Sequence, residues 1–273
     1  MNLASVLYLG ALALETIMGI PMIYGVMGLA LFAAAYSLYG GLSAVAWTDV
    51  IQVVFLILGG LFTTYLALDK VSGGHGMFEG LKTVYELAPD RFAMILDKSN
   101  PEYKNLPGIG VLVGGLWVAN LYYWGFNQYI IQRTLAAKSL KESQKGILLA
   151  AFLKLIIPLI VVIPGIAAYV MVNDPEILGR LGEAGLKNLP SPEQADKAYP
   201  WLLQFLPTGL KGVAFAALTA AIVSSLASML NSTSTIFTMD IYKQYINKNA
   251  SNKATVNTGR ISAAIALIIA CIM

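Results

Sequence analysis

Charge and cysteine are what this sequence has least of. Only 12% of its 273 residues are charged, against about 25% in a soluble domain. A surface so poor in charge is not built mainly to meet water. The single cysteine, Cys271, excludes an internal disulfide and a cysteine metal cage. The single histidine, His75, stands among Gly73, Gly74 and Gly76 in a loop-like stretch, which leaves no basis for a histidine-built metal site within the chain. The net charge of +3 is spread out with no basic patch, so nucleic acid is not an expected partner. Met1 leads straight into an apolar stretch with no basic n-region or cleavage site, unlike a secretory signal. The far end, Cys271-Ile272-Met273, also lies in an apolar run, and the two ends give the expectation of an internal fragment of a longer protein.

What the sequence has in abundance is apolar length. Apolar residues make up 57% of the chain, and the mean hydropathy is +0.68. A bilayer core of about 30 Å takes roughly 20 apolar residues as a helix. Segments of that kind fall at 1–18, 21–39, 43–68, 108–131, 147–172, 211–238 and 259–273, the first and last cut short. The expectation is an all-α integral membrane protein with one transmembrane domain over 1–273. Tight connections at Gly19 to Pro21 and at Tyr39-Gly40-Gly41 punctuate the spans. Long polar ones occupy 69–107 and 173–210.

Lys and Arg in short loops favour the cytoplasm. Residues 132–146 carry Arg133, Lys138, Lys141 and Lys145 against Glu142, and 239–258 carry Lys243, Lys248 and Lys253 against Asp240. Both are expected inside, which places 69–107 and 173–210 outside. Within the outer loops, 76–88 has helical periodicity and ends at Pro89, and 175–187 and 191–205 suit short surface helices. Tyr199, Trp201 and Phe205 suit the membrane-interface belt.

Four features are not explained by burial in lipid, where polar and charged groups are costly. Lys154 lies about eight residues into its span, roughly 12 Å deep at 1.5 Å per residue; snorkelling back to the surface reaches only about 6 Å. Pro158 and Pro164 bend the same span. The run Trp117 to Tyr129 gathers aromatics and amides, with Asn120 and Tyr123 on one face. Amides with a flat ring suit a sugar, whose edges are hydroxyl and whose faces are C–H; ordinary helix packing is the alternative. Along 216–235, small residues recur at four-residue spacing as helix packing in lipid requires, yet the Ser and Thr content, together with Asn231, exceeds that need. Hydroxyls with backbone carbonyls are ligands a sodium ion accepts. Finally, Asp49 opens the third span, either as an acid favoured by the helix dipole or as a way-station for a cation. Glu15, nearer a helix end, reads as structural.

The stretch Tyr36-Ser-Leu-Tyr-Gly-Gly-Leu-Ser-Ala-Val-Ala-Trp-Thr-Asp-Val-Ile-Gln52 resembles the signature of the sodium/solute symporter family. The segments Leu116 to Thr134 and Phe215 to Tyr242, with the Lys154 helix, resemble its bacterial sodium/galactose (sodium/glucose-type) members. The resemblance covers essentially the whole chain. It implies the leucine-transporter-like fold of two inverted five-helix repeats, present in part, from the third helix of the first repeat to the fourth of the second. It further implies that Asn120 and Lys154 hydrogen-bond sugar hydroxyls and that Tyr123 stacks on the sugar as part of the inner gate. Sodium ligands would be Ser224, Ser225 and the Ala221 carbonyl, with Asp49 on the ion's exit route. Asn2 lies in a helix near the site.

The function so implied is sodium-coupled symport of a sugar, galactose or glucose, by alternating access in a bacterial inner membrane, and not an enzyme activity. The expected partners are sodium, the sugar and the lipid bilayer; a homo-oligomer is compatible with the sequence. Another solute of the same family (an amino acid, a carboxylic acid or a sialic acid) is the alternative. An intramembrane enzyme would need convergent acids or histidines, and the spans offer only Asp49 and Glu15. A channel is a remoter reading.

Overall fold

The computed structural model describes residues 2–104 and 108–273; the side chains of residues 38–44, 102, 192 and 193 lie outside that description. No strand occurs among the described residues. The principal helices are α1 (Asn2–Met18), α2 (Met22–Val71), α3 (Met77–Leu87), α4 (Gly108–Phe126), α5 (Gln128–Leu135), α6 (Leu140–Lys154), α7 (Ile157–Asn173), α8 (Thr208–Ile236) and α9 (Asn252–Ile272). Among the described residues, five stretches are long and apolar enough to cross a membrane: Val45–Val71, Gly108–Phe126, Leu140–Asn173, Thr208–Ile246 and Asn252–Ile272. Asn2–Met18 and Met22–Ser37 are apolar but shorter. The chain forms two compact units, Met1–Thr63 with Lys187–Met273, and Thr64–Leu186.

In the first unit, α1, the first arm of α2, α8 and α9 share a core of Leu7, Ala11, Leu29, Ala33, Leu226, Leu230, Ala263 and Leu267. The alternation of Leu with Ala lets the backbones approach closely, which is how helices associate in lipid. The turn at Gly19 is the tight connection expected there. Gly19 takes a left-handed φ of 71°, and its N–H donates to the Glu15 carbonyl at 2.9 Å, a helix stop that favours glycine.

The turn expected at Tyr39-Gly40-Gly41 falls among residues whose side chains lie outside the description, and the backbone is helical through them. Contacts on either side show that the two arms of α2 bend towards each other. The Tyr36 hydroxyl and Thr48 Oγ1 are hydrogen-bonded, although twelve residues of straight helix would separate them by about 18 Å.

The segment leading into α8 packs against the rest of this unit. Trp201 is fully buried, edge-to-face with Phe205 at 5.0 Å. Asn188 Nδ2 donates to the Thr16 carbonyl at 2.8 Å. Trp201 therefore serves the core where an interface role was expected.

In the second unit, α3 ends at Leu87, just before Ala88 and Pro89, as its sequence anticipates. It lies so close to the end of α2 that a Cβ on Gly80 would collide with the Leu68 carbonyl. The Arg91 guanidinium sits 4.3 Å from the Tyr169 ring centroid and ties the loop to α7. Residues 147–172, read as one bent span, form two helices. Pro158 has no N–H to offer the Lys154 carbonyl, so α6 tightens and stops: Leu155 N–H donates to Phe152 O at 3.1 Å and Ile156 N–H to Leu153 O at 3.0 Å. Pro164 is accommodated inside α7.

Candidate functional site

The residues expected to carry function fall into two side-chain groups, one in each unit. The first begins with α4, which is not a uniform helix. Its α-helical piece Leu116–Leu121 lies between π-helical turns at Val111–Gly115 and Tyr122–Phe126. Such turns are rare and concentrate at functional sites. The second closes with Asn127 N–H donating to Tyr122 O at 2.9 Å. Asn127 itself is extended (φ −79°, ψ 108°), and its side chain accepts from Tyr129 N–H as the cap of α5. The span expected over 108–131 thus breaks at Asn127.

On this helix Asn120 Nδ2 donates to the Leu116 carbonyl at 2.8 Å. That bond fixes the amide and leaves Oδ1 as an acceptor. Asn120 borders a hollow of about 350 Å³ with Leu112, Leu116 and Trp117. Three residues on, Tyr123 and Trp124 stand edge-to-face, centroids 5.4 Å apart at 83°.

Lys154 Nζ lies 5.1 Å from the Tyr123 centroid and 4.8 Å from that of Trp124, within cation–π range of about 6 Å. It occupies the last residue of α6, where the helix dipole favours a cation. In the helical stretch Leu140–Asn173 it falls near the middle. The span begins earlier than expected because Ser139 caps it, its Oγ accepting from Glu142 N–H. The structure so brings Lys154 and Tyr123 together, with Asn120 one turn away on the same helix. Trp124 and Asn127 were not singled out from sequence; aromatic content marked the run, but helical periodicity carries no sign of a π turn.

The second group lies along α8. Ser224 Oγ donates to Asp49 Oδ1, so the expected ion-route acid and a predicted sodium ligand meet directly. With its proton directed at the carboxylate, the Ser224 oxygen turns lone pairs elsewhere. Ser225 and Ala221 are half-buried on the same helix. One turn on, Ser37 Oγ lies 3.4 Å from the Ala227 carbonyl and 3.2 Å from Asn231 Oδ1. Asn231 was marked by its place in the Ser- and Thr-rich run, but Ser37 was missed, since nothing in the sequence pairs residues so far apart. Beside this row runs an apolar groove of about 650 Å³ lined by Tyr36, Thr48, Gln52, Ala220 and Val223, among others. The donors are hard oxygens, suited to a sodium ion, and fewer than the five or six it wants.

Comparison with known proteins follows the same lines. The model of the sodium:solute symporter family matches residues 1–273. The chain is 67% identical over 272 residues to a sodium/glucose cotransporter of Vibrio parahaemolyticus, covering 100% of this chain and 50% of that protein. It is 35% identical over 279 residues to the human sodium/myo-inositol cotransporter 2, covering 93% of this chain and 39% of that protein. The chain thus spans about half the length, or less, of these curated relatives. Among solved structures, a substrate-bound, outward-open sodium-coupled sialic acid symporter superposes with a TM-score of 0.80 at 26% identity, covering 99% of this chain and 54% of that one. The fold is therefore the inverted five-helix-repeat transporter fold, present in part.

Proposed function

Because the chain belongs to the sodium:solute symporter family, whose members are transporters and not enzymes, we propose that it serves sodium-coupled symport of a sugar, galactose or glucose, into a bacterial cell across the inner membrane. The observation that carries the sugar reading is the Lys154 ammonium against Tyr123 and Trp124, with Asn120 Oδ1 on the same helix. An ammonium donor, an amide acceptor and a flat aromatic face match the hydroxyl edges and C–H faces of a pyranose.

In this reading Asn120 and Lys154 hold sugar hydroxyls, and Tyr123 stacks on the ring and closes the inner side. Ser224, Ser225 and the Ala221 carbonyl hold the sodium ion, and Asp49, bonded to Ser224, receives it on the way out. Sodium bound from outside favours the outward-open form and prepares the sugar site; loss of sodium to the cytoplasm frees the inner gate. Coupling requires that each ligand bind one conformation better than the other. Segments 132–146 and 239–258 face the cytoplasm, and 69–107 and 173–210 the outside.

Uptake of labelled galactose by the complete protein in proteoliposomes, with and without an inward sodium gradient, tests this. Lys154→Ala and Ser225→Ala should each reduce sodium-driven uptake tenfold or more, about 1.4 kcal/mol, the hydrogen bonds of charged groups contributing about 1.5–3 kcal/mol. Sodium-driven uptake of a different solute would retain the ion site and discard the sugar. A second reading, an acidic sugar, is favoured by Lys154 having no carboxylate in ion-pair reach among the described residues and by the sialic acid symporter among similar structures. Competition between galactose and a sialic acid for uptake separates the two.

A further inference from the structure

The groove of about 650 Å³ in the first unit is bounded by the two arms of α2 and by α8. Tyr24 and Tyr36 both line it, twelve residues and about 18 Å apart along the helix. Spread over that length, the volume gives a cross-section of about 36 Å², well below the roughly 80–110 Å² of a helix with its side chains. An extended hydrocarbon chain fits; a helix does not. Half of the bilayer core is about 15 Å thick, so the length also suits one lipid chain.

Two contacts set α8 against the second arm of α2. Ser224 meets Asp49, and Ala214 lies 3.8 Å from where a Cβ on Gly59 would stand. The helices are therefore antiparallel, which puts Gln52 level with Ala221 and about 3 Å from the level of Thr219. Both side chains line the groove half-buried, and neither has a hydrogen-bond partner among the described residues. Other threonines bond the carbonyl one turn back, as Thr16 does to Leu12 at 2.8 Å and Thr233 to Met229 at 2.9 Å. Thr219 keeps its hydroxyl for the groove. An amide and a hydroxyl left unmatched among apolar walls are costly, and a guest with a polar group offsets that cost.

We propose that this groove binds a neutral single-chain lipid from the bilayer, its hydroxyl head between Gln52 and Thr219 and its chain running along the first arm of α2 towards Ile20. The absence of any charged side chain in the lining excludes a phosphate, carboxylate or ammonium head, which would be buried uncompensated. The Ile20 and Phe215 end is apolar, whereas Gln52 lies one turn from the Tyr36–Thr48 pair, which fixes the direction of the guest. Gly28 keeps the way open, since a Cβ built there meets nothing within 4 Å. Tyr24 and Phe32 are exposed, so the groove opens sideways on an apolar face, where a lipid enters. The site is separate from the expected ion ligands: at 100° per residue, the groove face of α8 is turned about 140° from that of Ala221, Ser224 and Ser225.

The test uses the complete protein in phosphatidylcholine nanodiscs containing a monoacylglycerol with a photoactivatable diazirine in its chain. After illumination, peptide mass spectrometry should find adducts concentrated on 20–36 and 215–223. Unlabelled monoacylglycerol should compete, and an alkyl sulfate of the same chain length should not. That competition uses the unsubstituted protein and does not depend on a variant folding. Gly28→Phe, which fills the groove, should cut labelling tenfold or more. Gln52→Leu should weaken binding roughly 2- to 12-fold, the loss of one ordinary hydrogen bond. Adducts spread evenly over the apolar helices, labelling unchanged in Gly28→Phe, or equal competition by the alkyl sulfate would each overturn the proposal. A groove without adducts, covered by another part of the complete protein, would do the same.

Discussion

At the scale of single residues, the two groups differ in what their charge is for. In the proposed reading Lys154 presents a charge to a ligand, whereas Asp49 meets the Ser224 hydroxyl. Asp49→Asn keeps an acceptor for Ser224 and removes the negative charge. The half-saturating sodium concentration should rise roughly tenfold, about 1.4 kcal/mol, with sugar affinity at saturating sodium unchanged. Sodium dependence that does not move in transport assays would remove Asp49 from the ion route. A second acid, Asp97 in the 69–107 connection, is held below its ordinary carboxylate range by the Ser99 backbone N–H at 3.0 Å and then by the Ser99 hydroxyl at 2.8 Å. A depressed carboxyl contributes stability at neutral pH and loses it as pH falls through its lowered value. In Ser99→Ala the Asp97 titration, followed by carboxyl ¹³C NMR, should move up towards the ordinary range. An unmoved titration would assign the depression to the Ser99 backbone N–H alone, which the alanine keeps.

At the scale of elements, breaks matter more than continuity. α6 ends at Lys154, four residues before Pro158, and α4 ends in a π turn that carries Tyr123 and Trp124 and closes at Asn127. Close approaches fix the remaining elements. On α9, a Cβ at Gly259 would come within 2.7 Å of Ser234 Oγ on α8, a side chain able to give. At Gly80 the obstacle is the backbone carbonyl of Leu68, which gives little. Gly80→Val should therefore lower the Tm of the detergent-solubilised protein by about 2–8 °C, following an overpacking cost of about 1–3 kcal/mol. A Tm equal to that of the unsubstituted protein would mean that α3 slides along α2 at small cost.

At the scale of the whole molecule, the exposed apolar faces decide the setting. The window of α4 is 0% buried and that of Leu140–Asn173 is 6% buried, so these helices meet lipid or further protein. Orientation across the bilayer is open to direct measurement, because the chain has one native cysteine, Cys271, to replace. On a cysteine-free background, Lys141→Cys should react with an impermeant maleimide only from the cytoplasmic side of oriented vesicles, and Lys98→Cys only from the outside. The reverse pattern would invert the proposed topology.

The sequence by itself determined the helical membrane class, the positions of the apolar stretches, the Gly19 turn, the end of α3 at Pro89, and the interest of Lys154, Tyr123 and Ser224. Each of these is local: hydropathy, a proline's missing N–H, a glycine's φ, or a charge where lipid should be. What only the tertiary structure decided depends on partners far away in the chain. Ser224 meets Asp49 across 175 residues, and Ser37 meets Asn231 across 194. Trp201 is drawn into a core where its composition suited an interface. Trp124 and Tyr123, on one helix, meet Lys154 on another. Periodicity records which face of a helix is apolar; it does not record which other helix will be there to meet it.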